Sequence, residues 1–105
     1  MGDEAVWGTW RLLSFECERS DGRRVLPFGP DAFGQLIYGS DGRMSAILSR
    51  RDRVPLPSGD PATSSEAERA ALADGFAAYG GTYIVGAGTV THEVEASFLP
   101  NWVGA

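Results

Sequence analysis

Few side chains in this sequence can do chemistry near neutral pH. His92 is the only histidine and Cys17 the only cysteine in 105 residues. An imidazole titrates close to neutrality by default, so His92 is the candidate catalytic acid or base and the first candidate for ligand contact. Its surroundings alternate. Val90, His92, Val94, Ala96 and Phe98 share one parity, while Thr89, Thr91, Glu93, Glu95 and Ser97 share the other. Side chains alternate across a strand, so the first set is expected to face an apolar interior and the second to face solvent. Partial desolvation there favours the neutral ring, which suits a base or a hydrogen-bond donor. The plainer alternative is a core histidine tied to a tyrosine or to a backbone carbonyl.

The other candidates are weighed the same way. Glu93 and Glu95 lie on the parity opposite to His92, so neither orients it, and a Ser-His-Asp arrangement is unsupported. Tyr38, Tyr83 and Arg43 could give polar groups to a cavity, with Val94 beside His92 as apolar wall. Their structural alternatives are a packed aromatic for Tyr83 and an exposed cross-strand partner for Arg43. Trp10 and Trp102 read as core aromatics. Cys17 sits in an apolar run, where a free thiol behaves as a small hydrophobe. One His and one Cys on separate strands supply too few ligands for a metal site, so neither metal nor cofactor is expected. Arg50, Arg51 and Arg53 around Asp52 read as a solvated loop.

Composition narrows the classes of function. With 43% hydrophobic and 22% charged residues the chain falls in the range of globular domains, and its length supports one domain. Nine arginines and no lysine against 14 acidic residues give a net charge of -5, which disfavours capture of nucleic acid or of anionic membranes. A single cysteine excludes an intrachain disulfide scaffold. The opening residues lack the basic and apolar regions of a secretory signal, and no apolar run is long enough to span a membrane, so a cytoplasmic protein is expected.

The elements that must position these residues are short, because 14 Gly and 6 Pro punctuate the chain. Thr9 to Cys17 reads as a first strand, and Arg24-Val25-Leu26 as a brief edge strand or loop. Gly34–Gly39 and Arg43–Ser49 flank Ser40-Asp41-Gly42, a strong hairpin signal. Positions 50–62, with three prolines, read as a loop. Thr63 and Glu66 fit a capping box, Leu72, Phe76 and Tyr79 a helical stripe, and Gly80-Gly81 a helix stop. Thr82–Val85 and Thr89–Ser97 around Gly86-Ala87-Gly88 form a second hairpin. Five or six strands and one helix point to a barrel or a strongly curved sheet with the helix packed across an end, although a closed ligand-holding barrel usually needs about eight strands.

Several segments resemble the lipocalin-like domain proteins of bacteria and fungi. Gly8-Thr9-Trp10 is similar to the lipocalin Gly-x-Trp signature, in which the Trp closes one end of the barrel. The likeness continues through Pro27-Phe28-Gly29, Leu36-Ile37-Tyr38, Asp41-Gly42-Arg43-Met44-Ser45, Tyr79 with Thr82-Tyr83, the Val90–Ser97 run, and Pro100-Asn101-Trp102 with Gly104. It implies one mostly β domain over residues 1–105, an antiparallel lipocalin-like β-barrel around a cavity. Family members generally continue with further strands past the Pro-Asn-Trp segment, so the barrel is expected to be open or incomplete. An exposed last strand would then invite pairing with a second copy, hence a homodimer, the competing explanation being a truncated sequence.

The leading functional reading is a binding module for a small apolar or aromatic molecule. An enzyme of secondary metabolism, an isomerase or cyclase using His92 as acid or base with Tyr83, is the alternative. A subunit with a purely assembling role is a third.

Overall fold

The computed structural model describes residues 3–104. Its framework is two hairpins side by side. The turn at Asp41-Gly42 joins β4 (Phe33–Tyr38) to β5 (Arg43–Ser49). Gly42 adopts φ +85°, a region open to glycine because it has no Cβ, and Asp41 Oδ1 accepts the Arg43 N–H at 3.1 Å. The second hairpin joins β6 (Phe76–Gly86) to β7 (Thr89–Ser97), with Gly88 at φ +72°. With β1 (Gly8–Arg11) along β4, the strands lie in the order β1-β4-β5-β6-β7, every neighbouring pair antiparallel. A separate pair, β2 (Cys17–Glu18) and β3 (Arg24–Val25), lies outside this sheet.

One face of the sheet is apolar. Met44, Ala46 and Leu48 of β5 are buried while the intervening Arg43, Ser45 and Ile47 are exposed, the alternation of a sheet wet on one side. Tyr38, Met44, Ala46 and Tyr83 form the packed centre, with Leu36, Tyr79, Val85 and Val90 around it. Two strands separate β4 from β7, a distance of about 14 Å at ordinary strand spacing. Yet Tyr38 Oη reaches His92 Nε2 at 2.5 Å, so the sheet curls with the apolar face inside. The expected mostly β, antiparallel, barrel-like architecture is therefore present in its open form: the described strands of the sheet do not close, β1 and β7 being its two edges. The Cα radius of gyration is 16.0 Å, against about 13 Å for a compact chain of this length, as expected of an open sheet.

Three local expectations are corrected. The first strand ends at Arg11 and the chain then leaves the sheet, so Cys17 sits in the small β2–β3 pair, exposed rather than packed as a hydrophobe. The helix α1 (Glu66–Asp74) starts two residues later than the Thr63–Glu66 spacing implies. Its capping box is Ser65 with Glu68: the Ser65 hydroxyl accepts the Glu68 N–H at 3.2 Å and Glu68 Oε1 accepts the Ser65 N–H at 2.8 Å. Asp60 starts a 3-10 turn over Pro61–Thr63, and this is where Thr63 belongs.

The helix also ends earlier, at Gly75, so Phe76 and Tyr79 are strand residues rather than part of a helical stripe. Alternation decided this. Ala77, Tyr79, Gly81, Tyr83 and Val85 line one face of β6, and the first three pair with the buried Leu48, Ala46 and Met44 of β5, a gain no isolated helix offers. The helix has no buried residue and lies beside β6, tethered by a hydrogen bond from the Arg53 guanidinium to Leu72 O.

Candidate functional site

His92 is set in place by the β6–β7 hairpin, directly opposite Tyr83. The alternation of β7 holds from Thr89 to Val94, with Val90, His92 and Val94 turned inward and partly buried. It then reverses. Gly80 pairs with Ala96 but Gly81 pairs with Val94, leaving Glu95 without a partner, a β-bulge. Beyond it Ser97 turns inward opposite Tyr79, while Ala96 and Phe98 are exposed, contrary to the parity expected of them. A glycine is needed at the bulge: a Cβ on Gly81 would lie 1.9 Å from Glu93 O. The missing side chain thus lets the β7 backbone at Glu93 and Glu95 come close to β6.

Both ring nitrogens of His92 are engaged by tyrosines. Tyr38 Oη lies 2.5 Å from Nε2 and Tyr79 Oη lies 3.2 Å from Nδ1. Tyr83, although directly opposite, makes no hydrogen bond to His92. Its hydroxyl donates to Gly39 O at 2.6 Å and its ring packs on Tyr38 with centroids 4.7 Å apart, so it buttresses Tyr38 from behind. Burial holds the His92 pKa below the ordinary 6.5. Burial raises the Tyr38 and Tyr79 hydroxyls, that of Tyr38 further through the neighbouring Tyr79 and Tyr83. At neutral pH the three groups form a neutral hydrogen-bonded chain.

Beside this chain the curled face is hollow. Two adjoining cavities, of about 240 and 290 Å³, share Phe15, Leu48 and Tyr79 as common wall. The first runs toward Trp10 and Leu36; the second is bounded by His92, Val94 and Trp102. Trp102 stands at 90° to the Tyr79 ring with centroids 5.7 Å apart. It is held there because the chain turns back after β7 and Gly104 N donates to Val94 O at 3.0 Å. Trp10 is 47% exposed, its indole donating to Val6 O, and lines the hollow rather than filling a core.

Of the residues singled out in the sequence, His92, Tyr38 and Val94 come together here, with Tyr38 behind His92 and Val94 in the wall. Tyr83 is in the packed centre. Arg43 is not brought in: it projects from the outer face and pairs with Glu95 at 2.6 Å, both more than half exposed. Tyr79 is the residue the sequence reading missed, and its period-two relation to Gly81 and Tyr83 was the signal. Arg50, Arg51 and Arg53 are occupied within the protein, Arg50 by Asp52 and Pro27 O, Arg51 by Asp31 O and Arg53 by Leu72 O. Among the described residues no three of His, Cys, Asp and Glu gather as metal ligands do, and no helix is long and apolar enough to cross a membrane.

A curved antiparallel sheet with an apolar hollow on its concave face defines an open, barrel-like β fold. The family model of the lipocalin-like domain matches residues 7–105, so the chain belongs to the lipocalin-like domain family. No curated protein and no solved structure matches it.

Proposed function

We propose that this protein binds a small apolar or aromatic molecule in the concave hollow, oriented by the Tyr38–His92–Tyr79 chain. The observation that carries this reading is the juxtaposition of the two hollows with that chain: apolar walls with few convergent polar groups are the usual character of ligand sites, and together the hollows reach the lower part of the usual range of about 300–1,000 Å³. Membership of the lipocalin-like family supports small-molecule binding at the same coarse level. The alternative of an isomerase or cyclase is less favoured, because both His92 nitrogens are engaged by tyrosines and neither is free to take a proton from a substrate.

A fluorescence titration with the neutral aromatic probe N-phenyl-1-naphthylamine tests the reading. Saturable one-to-one binding, weakened several-fold in Trp102→Ala, is expected. Wild-type protein that gave no saturable signal would sink it. In the same reading a second copy adds its strand at β7, which has a strand neighbour on one side only among the described residues; light scattering should then give the mass of a dimer. An exposed free thiol at Cys17 suits a reducing compartment, in line with a cytoplasmic location.

A further inference from the structure

The hydrogen bonds at His92 have a direction, and the direction selects the ligand. A neutral imidazole carries one N–H and one bare nitrogen, so its two tyrosine partners cannot play the same part. In one arrangement the Tyr38 hydroxyl donates to Nε2 and Nδ1–H donates to Tyr79 Oη. In the other, Nε2–H donates to Tyr38 Oη and the Tyr79 hydroxyl donates to Nδ1. Tyr38 decides between them. It is only 7% exposed, and among the described residues its hydroxyl has no hydrogen-bond partner other than His92. In the second arrangement its own proton would be buried without an acceptor, whereas buried donors are nearly always satisfied. The distances agree with the first arrangement: 2.5 Å is within the span of hydroxyl donors and 3.2 Å within that of N–H donors.

With Nδ1–H directed at Tyr79 Oη, the Tyr79 hydroxyl proton is left over. Tyr79 is the residue common to both hollows and to the hydrogen-bonded chain, and with no other partner among the described residues its hydroxyl proton is left for the groove. We infer that Tyr79 is the specificity-determining residue of the site, donating its hydroxyl proton to a ligand that joins an apolar or aromatic body to a neutral hydrogen-bond acceptor such as a ketone. His92 and Tyr38 are positioning residues: they fix the Tyr79 hydroxyl as a donor and polarise it along the chain. A ligand offering only a donor at that point meets a second donor.

This inference rests on the binding reading above, and two measurements separate their fates. Because His92 is the sole histidine, long-range 1H–15N correlation on uniformly labelled protein reads its tautomer without ambiguity. The Nδ1–H form with a bare Nε2 is expected in wild type, and an Nε2–H ring would overturn the inference. The second measurement compares 2-acetylnaphthalene with 2-isopropylnaphthalene, a ketone and a hydrocarbon of nearly the same shape. Wild type should prefer the ketone roughly tenfold, the worth of one net hydrogen bond, and Tyr79→Phe, which keeps the ring against Trp102, should erase the preference by losing ketone affinity alone. Equal binding of the two probes by wild type would overturn the inference and leave the binding reading standing. Binding of neither would bring down both.

Discussion

The two ends of the same concave face are built differently. At the hairpin end Tyr38, Met44 and Tyr83 are each 7% exposed or less, and Tyr83 ties the core to the turn through Gly39 O. At the opposite end Phe15, Leu48, Trp10 and Trp102 surround empty space, and Trp10 is nearly half exposed. Both ends are apolar, so hydropathy alone does not distinguish them. What differs is who supplies the opposing layer. Facing aromatics from β4 and β6 fill the first end; only the irregular segment after β1 and the turn after β7 cover the second. Filling gives stability, and leaving the space empty gives room for a ligand, with His92 at the boundary between them.

Substitutions should separate the two ends, and the largest effect is expected where the packing is closest. Tyr83→Ala removes a buried ring and the Gly39 tie, and should cost about 3–5 kcal/mol in a denaturant melt, much of the stability of a chain this size. A loss below 1 kcal/mol would show that the hairpin end does not carry the fold.

Gly81→Ala forces a methyl group against Glu93 O and should cost about 1–3 kcal/mol. It should also disturb the His92 ring, read as a shift of its NMR signals. A change in stability that left those signals in place would uncouple the bulge from the site.

The boundary itself should respond to pH. Burial lowers the His92 pKa, and its hydrogen-bonded neighbours are Tyr38 from β4 and Tyr79 from β6, with no carboxylate bonded to the ring among the described residues. The unfolded chain therefore takes up the proton first as pH falls. The stability that goes with a neutral His92 is fully present above the ordinary value of 6.5 and is lost as pH falls from there to the lower folded value. His92→Gln should flatten the stability profile in that window, as followed by melts from pH 7.5 to 5. A slope unchanged in the variant would assign the effect to other groups.

The smallest effect is expected on the outer face. Arg43→Ala breaks an exposed pair with Glu95 and should change stability by no more than about 1 kcal/mol and leave probe binding unaltered. Any loss of probe binding would mean that Arg43 reaches the groove after all.

Much of the scaffold was legible because it is written in local chemistry. The Asp41-Gly42 turn fixes the β4–β5 register, and the alternation from Thr89 to Val94 fixes which way His92 faces. The segment from Phe76 to Gly81 was not legible by the same means. Leu72, Phe76 and Tyr79 satisfy a helical spacing as well as Tyr79, Gly81 and Tyr83 satisfy a strand, and only pairing of β6 with β5 settles the competition. The loop arginines found partners that lie up to 23 residues away in sequence, beyond any local pattern.

By itself, then, the sequence determined that a lone histidine would sit inward on a β-hairpin in a curved, mostly β domain, because turn residues and period-two alternation act over a few neighbouring positions. Tertiary structure decided the rest. The bulge at Glu95 reverses the strand beyond Val94, the curl of the sheet carries Tyr38 across two strands to His92, and Tyr79 closes the chain at the edge of the hollow. These depend on how far a twisted sheet bends and on where one missing Cβ lets two strands approach, and both are properties of the assembled backbone rather than of any one segment.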